Sequence, residues 1–444
     1  MTAVALVAHP AMHLGRWRLA IAAIAVAVVA LPILRPAGPG NTGFVDLALV
    51  VAMLLAAVWA SVRGHALHLP YALPVVLTVF AGSLAAATAG GGGHTMLALA
   101  QDVFVFAWSA AVATIGQDRP ALDAFCRAWA YSATAWAALL LFAELAGLNW
   151  LSGINARDGI RASFTLGDPN LAADYFICGL FVMRAARRPR NAVLRFLACL
   201  LVVVAVVLTL SNGGFLALLV ATALGVLFSV ARKRGVVVAV ATGGILALGG
   251  VSALATVDVH GWLTRAEEAS PLVHDSLGRQ AESSGSREML ATEGVKLLLR
   301  GSLLGVGPGN TEKTLRAQQA PYVKEAHDDY LAAAIERGPI GVVALILLGV
   351  AVAVRARRIS APDGLAPEYR DVVPRPELLA AAAVAIAISA MFYEVLHFRH
   401  VWALFGLIAA LELTGRRNGA HQARPVANRL SVRDALPEQR PWRR

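Results

Sequence analysis

Residues 192–210, AVLRFLACLLVVVAVVLTL, decide the fold class of this chain. The stretch carries Arg195 as its only charge, and its apolar residues do not alternate with polar ones. About 20 consecutive apolar residues form a helix long enough to cross a bilayer, whereas a transmembrane strand shows alternation. The stretch therefore predicts a membrane-spanning helix and argues against a β-barrel.

Similar apolar runs recur along the 444 residues. The chain is 58% hydrophobic and 15% charged, with a mean hydropathy of +0.64, which is unusual for a soluble protein. These values predict an all-α polytopic membrane protein with about twelve transmembrane helices. We place the spans at residues 18–34, 44–62, 69–89, 95–115, 121–148, 169–186, 192–210, 213–230, 236–256, 328–354, 378–396 and 400–415.

The charge distribution predicts the topology. Net charge is +11, but the basic residues cluster at the ends of apolar runs, which fits membrane topology better than nucleic-acid binding. They occupy alternate loops, and the positive-inside rule then places both termini in the cytoplasm. The resulting organisation has spans one to nine in residues 1–256, a large periplasmic loop at 257–326, spans ten to twelve in 327–415, and a basic, disordered cytoplasmic tail at 416–444.

The large loop is longer than a connection requires, and loops of that length usually carry function. Within it, SREMLATEGVKLLLRG (286–301) predicts an amphipathic helix with Ser286 as its N-cap. The following LLGVGPGN (303–310) predicts a glycine-rich turn. The loop is therefore the first place to look for a site on the outer face.

Cysteine usage does not indicate a metal site. Cys126, Cys178 and Cys199 all lie in apolar segments without a CxxC pair, which predicts buried small side chains. We expect no disulfide, no cofactor and no bound metal.

Arginines on the predicted outer face run against the positive-inside trend. Arg161, Arg265 and Arg287 are three of them. A guanidinium matches phosphate oxygens in a two-pronged geometry, so these residues suggest an anionic ligand such as a lipid diphosphate. The alternative is that they are solvated charges paired with loop carboxylates.

KEAHDDYLAAAIERGPIG (324–341) places His327 at the mouth of the tenth span. A neutral imidazole there could take a proton from a hydroxyl group, with Asp328 and Asp329 orienting it; the alternative is a solvated helix start. Glu336 and Arg337 are expected to pair with neighbours on their own helix. In GDPN (167–170), Asp168 is expected to cap a helix that begins at Pro169.

Several motifs in this order resemble the O-antigen ligase and O-antigen polymerase superfamily, and the ligases most closely. GVGPGN supplies Asn310; AHDDYLAAAIERGPIG supplies His327 and Tyr330; RASFTLGDPNLAA supplies Arg161 and Asn170; SREML supplies Arg287. One departure is SNGG (211–214), where Asn212 stands in place of a common family arginine. Arg265 is the suggested replacement.

The resemblance implies a GT-C-like glycosyltransferase with its active site facing the periplasm of the bacterial inner membrane. The donor would be a glycan on undecaprenyl diphosphate, and the acceptor a sugar hydroxyl of lipid A–core. His327 would be catalytic, arginines 161, 265 and 287 would hold the diphosphate, and Asp328, Asp168, Asn170, Asn310 and Tyr330 would support the site. Inverting, metal-independent transfer is expected.

Three alternatives stay open. An O-antigen polymerase would use a second lipid-linked glycan as acceptor, and an oligosaccharyltransferase would use a protein. A transporter of lipid-linked sugar is less favoured, because broken helices and midplane charges, which transporters use, are not evident from the sequence.

Overall fold

The computed structural model describes residues 10–35, 38, 42–64, 66–154, 161–256, 285, 288–299, 303–321, 323 and 328–433. Side chains are described in all of these except 10–17, 250–256 and 417–433. These residues form helices and turns, and no strand occurs among them. The all-helical prediction is therefore confirmed for this part of the chain.

A helix occupies the position of each predicted span. The long helices are α1 (Pro10–Ala30), α2 (Phe44–Arg63), α3 (Ala72–Ala89), α4 (Gly93–Ile115), α5 (Arg119–Leu145), α7 (Pro169–Ala185), α8 (Ala192–Leu208), α9 (Asn212–Arg234), α10 (Val236–Thr256), α13 (Asp329–Ser360), α14 (Glu377–Ser389) and α15 (Arg399–Arg433). Shorter helices are α6 (Asn149–Ser152), α11 (288–299) and α12 (Thr311–Ala317), with single 3₁₀ turns at Phe164–Leu166 and Pro367–Tyr369.

Six of the described helices are long and apolar enough to cross a membrane, namely α2, α3, α4, α5, α9 and α13. This finding supports a polytopic membrane protein. The twelve-span topology and the periplasmic side of the large loop remain predictions. The last helix continues to Arg433, so residues 416–433, where a disordered tail was predicted, are helical.

Contacts between loops define the two ends of the bundle. At one end, Arg119 pairs with Asp371, and the backbone N–H of Arg375 donates to the carbonyl of Ala185. We call this the arginine end. At the other end, the N–H of Asp329 donates to Ala390 O, and Arg399 binds Asp46 through a hydrogen bond of 2.8 Å. We call this the glycine-turn end, because the loop 303–310 lies there.

Small side chains allow the helices to approach closely. A Cβ atom at Gly406 of α15 would lie only 2.7 Å from the carbonyl oxygen of Ser109 in α4. Helix pairs in membranes pack through such small residues, because lipid supplies no hydrophobic force between helices. The tightest packing brings α3 against α13, α9 against α14, and α4 against α15. These pairs form the scaffold beneath the glycine-turn end.

Helix α11 lies inside the predicted amphipathic segment and confirms that a helix forms there. Its Leu290 and Leu297 pack with Leu315 of α12 and Ile335 of α13 in a small core separate from the main one. The loop structure is thereby fixed to the first turns of α13.

Candidate functional site

Helix α13 is broken near its start, and the glycine-rich turn docks on the break. Gly338 has φ 63° and ψ −164°, and Pro339 follows it. Because proline has no N–H, the carbonyl of Ile335 loses its helical donor. The N–H of Val306 fills that role at 3.0 Å, and the N–H of Gly307 donates to Glu336 O at 3.1 Å. The turn therefore caps the first segment of α13.

Two glycines permit this close approach. Gly305 has φ 91° and Gly338 has φ 63°, a backbone conformation that residues with a side chain rarely adopt. A Cβ atom at Gly305 would lie 2.5 Å from Glu336 O, and one at Gly338 would lie 2.3 Å from Leu303 O. Both positions therefore require glycine for conformational and steric reasons.

The Glu336 carboxylate holds the turn from inside. Its oxygens accept hydrogen bonds from Gly309 N at 2.9 Å and from Thr311 Oγ1 at 2.8 Å. The Asn310 amide donates to Thr95 Oγ1 of α4 and to Val306 O, each at 3.1 Å. Glu336 is buried, so its carboxylate depends on these donors to replace water.

The prediction that Glu336 and Arg337 pair with neighbours on their own helix is wrong. Glu336 binds the turn, and Arg337 Nη2 donates to Asp102 Oδ2 of α4 at 2.8 Å. The sequence does not show this because the break in α13 turns both side chains toward other elements. The Asp102 carboxylate therefore faces the bundle interior.

A second group of charges lies beside Arg337. His397 Nε2 is 3.3 Å from Glu394 Oε2, and His397 Nδ1 is 3.9 Å from Asp102 Oδ1. Burial lowers the pKa of His397, but the hydrogen bond and charge of Glu394, with the charges of Asp102 and Asp329, outweigh burial and raise the pKa to about 9. His397 is therefore a cation at neutral pH.

Asp329 fixes the start of α13 to the turn that precedes α15. Its Oδ2 accepts from Val395 N at 2.8 Å and from Leu396 N at 3.3 Å. Asp328 caps the helix by accepting from Tyr330 N at 2.7 Å and from Leu331 N at 3.0 Å. The chain immediately after position 327 is thus held at several points.

A cavity of about 50 Å³ lies against this group. Its charged walls are Asp102, Asp329, Arg337 and His397, and apolar walls continue along α13 as far as Leu348. The cavity is therefore polar toward the glycine-turn end and apolar toward the middle of the bundle.

Arg161 belongs to a separate polar cluster. Its guanidinium donates to Asn170 Oδ1 at 3.0 Å and to Thr209 O at 3.2 Å. Ser211 Oγ donates to the same Asn170 oxygen at 2.7 Å. Arg161 is therefore linked through Asn170 to Ser211, the first residue of the SNGG turn. The sequence alone did not indicate that Arg161 and this turn meet.

Asp168 caps α7, as predicted. Its Oδ1 accepts from Asn170 N at 2.7 Å and from Leu171 N at 3.3 Å. Pro169 occupies the first helical turn, where its missing N–H costs nothing.

The segment 390–398 joins the two clusters. A Cβ atom at Gly213, near Arg161 and Asn170, would lie 3.0 Å from the Phe392 side chain, and three residues later Val395 binds Asp329. Tyr330 donates through its hydroxyl to Ala387 O at 2.8 Å, just before this segment. The structure therefore brings the described site residues to one end. His327, Arg265 and Arg287 lie outside the described residues.

No group of three or more His, Cys, Asp or Glu side chains suited to a metal ion occurs in the described ranges.

The fold and site define a helical membrane protein with a polar site built at one end of the bundle. Residues 197–346 match the family model described as O-antigen ligase. The matched segment is about a third of the chain and contains the glycine-rich turn, Glu336 and the break in α13. The match confirms the resemblance to the O-antigen ligase superfamily and indicates an enzyme of the ligase or polymerase type. No curated protein matches the chain.

Proposed function

We propose that the protein transfers O-antigen glycan from undecaprenyl diphosphate to a sugar hydroxyl of lipid A–core. The reaction inverts the anomeric carbon, needs no metal ion and takes place on the periplasmic face of the inner membrane, with both termini cytoplasmic. The family match over 197–346 supports the ligase or polymerase class. The choice of ligase over polymerase rests on the predicted span count and on the single large loop near the C-terminal third of the chain.

The observation that carries the proposal is the attachment of the chain on both sides of His327. Before it, Glu336 and the broken end of α13 hold residues 306–311. After it, Asp328 caps α13, and Asp329 binds Val395 and Leu396. A catalytic group needs a rigid support to act at a fixed distance from its substrate. Such anchoring would support a catalytic group at position 327, the role that the family resemblance implies for His327.

In the proposed reaction, the acceptor hydroxyl oxygen attacks the anomeric carbon while the bond from that carbon to the phosphate oxygen breaks. His327 takes the hydroxyl proton, and the lipid diphosphate leaves with the bonding electrons. The donor is already activated, so ATP is not required. Asp328, Asn310 and Tyr330 support the backbone around the base.

Negative charge grows on the departing diphosphate, and arginines are suited to stabilise it. Arg161 is proposed for this role together with Arg265 and Arg287. Asn170 and Asp168 support Arg161, because Asn170 accepts its hydrogen bond and Asp168 caps the helix that carries Asn170. Arg161 binds Thr209 O and shares the Asn170 oxygen with Ser211. It can therefore supply charge near position 212, where the family commonly has an arginine.

The test uses the purified full-length protein with undecaprenyl-diphosphate-linked O-antigen and lipid A–core, without ATP and with a chelator. We expect a ladder of glycan-bearing lipid A–core on a gel. His327→Ala should abolish the ladder, whereas His68→Ala, at the arginine end, should leave it unchanged.

Other products would assign the protein differently. Lengthening of the glycan on its own lipid, without lipid A–core, would identify a polymerase. A ladder of normal intensity from folded His327→Ala would contradict the catalytic role. Loss of the ladder on adding chelator would contradict metal independence.

A further inference from the structure

The turn between α7 and α8 concentrates positive charge that acidic side chains do not balance. Residues 175–257 contain eight arginines and lysines and no Asp or Glu. Five of the arginines lie in residues 184–195. Arg188 is buried and pairs with Asp123 of α5, and the same carboxylate also pairs with Arg127 at 3.2 Å. Asp123 therefore has little capacity to neutralise the remaining arginines of the turn.

Arg195 binds the backbone of the turn through its guanidinium group. It lies one turn inside α8, and its Nη1 donates back to Pro189 O at 2.9 Å and to Arg190 O at 3.1 Å. An arginine whose stem lies on an apolar helix and whose charge reaches back to the helix end is typical of a membrane boundary. Arg184, Arg187 and Arg190 are exposed around it. We call these four residues the α7–α8 arginine cluster.

An apolar surface begins directly beside this cluster. Val193 and Phe196 are each 66% exposed, and Leu194 is 56% exposed. Leu197 and Leu200 continue the same exposed surface along α8. Cationic groups bordering a long apolar face match a molecule with an anionic head and apolar chains.

We infer that the α7–α8 arginine cluster binds the phosphate of an anionic phospholipid whose acyl chains lie along α8. Guanidinium groups bind phosphate oxygens with paired hydrogen bonds, and each basic residue near a lipid surface contributes about 1 kcal/mol to attraction for anionic lipid. The cluster lies at the arginine end, opposite the candidate active site, so this inference does not depend on the proposed function.

The experiment measures equilibrium binding of fluorescent phosphatidylglycerol to the full-length protein in micelles of an uncharged detergent. Phosphatidylcholine with the same acyl chains is the neutral competitor. The variant Arg187→Gln/Arg190→Gln should bind phosphatidylglycerol about thirtyfold more weakly, because two attractive charges are lost. Raising salt from about 0.1 M to about 1 M should weaken wild-type binding, because salt screens exposed charges.

The control is Arg357→Gln/Arg370→Gln, which removes the same charge from exposed positions at the same end. It should change binding by no more than about twofold, since each surface charge acts over only about a Debye length. Matching melting temperatures of the two variants would exclude unfolding. Equal binding of the two lipids by the wild-type protein, or an equal loss in both variants, would overturn the inference.

Discussion

Arg337 and Asp102 form a buried ion pair with an N–O distance of 2.8 Å, which fixes the break in α13 to the middle of α4. Both side chains are largely removed from solvent, at 7% and 13% exposure. A buried charge is costly without its partner. The pair is therefore important to how the two helices assemble, whatever its role in the reaction.

Removing one partner of this pair should destabilise the protein. For Asp102→Asn, we expect the free energy of unfolding to fall by about 3–5 kcal/mol, because Arg337 stays buried without its hydrogen-bonded counter-charge. Unfolding in mixed detergent micelles would measure the change. Glu312→Gln breaks an exposed pair with Arg316 and should cost less than about 1 kcal/mol. An unchanged stability of Asp102→Asn would show that the pair does not hold the helices together.

Glu336 should be required for the turn and hence for transfer. Glu336→Ala removes the acceptors of Gly309 N and Thr311 Oγ1, and we expect a loss of about 3 kcal/mol in stability. If the turn positions His327, the rate of transfer should fall by more than about tenfold. Glu336→Gln keeps one acceptor oxygen, so it should retain more stability and more transfer activity than Glu336→Ala. Equal activity of the alanine and wild-type proteins would contradict a positioning role.

The position of Arg161 beside the SNGG turn can be tested by exchange. Arg161→Ala should weaken use of the diphosphate donor, because a stabilising charge is lost. Adding Asn212→Arg to that variant should restore most of the transfer, since it supplies a guanidinium one residue from Ser211. Asn212→Arg alone serves as the control for disruption of the turn. If the double variant did not transfer glycan while Asn212→Arg alone stayed active, an arginine at position 212 could not replace Arg161.

The His397 group should make stability depend on pH. The folded-state pKa of about 9 lies above the ordinary value of 6.5, so the folded protein holds this proton more tightly than the unfolded chain. The stabilisation is complete below about pH 6.5 and is lost as pH rises through about 9. The melting temperature should therefore fall between about pH 7 and about pH 10, and His397→Gln should flatten this dependence. Identical profiles for the two proteins would refute the assignment.

Much of the fold was predictable because membrane helices have a strong local signal. Apolar runs located eight of the twelve long helices to within four residues at each end, but α1 begins eight residues before its predicted start and α14 ends seven residues before its predicted end. The sequence also predicts Asp168 as the cap of α7, which the structure confirms. The end of α15 was not predicted, because the polar composition of 416–433 resembles that of a tail. Six of the described helices are long and apolar enough to cross a membrane. Apolar runs in the sequence do not by themselves distinguish these six from the others.

The site was less predictable because its contacts join residues far apart in the chain. The motif GVGPGN and the following helix marked the correct region, but the break at Gly338 depends on tertiary contacts with Leu303 and Val306. An acidic residue inside an apolar run, such as Asp102, predicts a partner within the bundle, yet nothing local names Arg337 as that partner. Likewise, Arg161 and Ser211 meet only through Asn170.

The break in α13 also bears on the order in which the protein can assemble. Residues 340–354 carry no charge and rise about 22 Å as a helix. Basic residues follow from Arg355 onward and can reach the membrane boundary, so this apolar part can enter the hydrocarbon core without a partner. The preceding turns carry Asp329, Glu336 and Arg337, which lipid does not accept without partners. Insertion of the apolar part is therefore expected first, and docking of the polar part must wait until α4 and the 303–311 turn are in place. Biogenesis of the site is thus a late event, separate from entry of the helix into the bilayer.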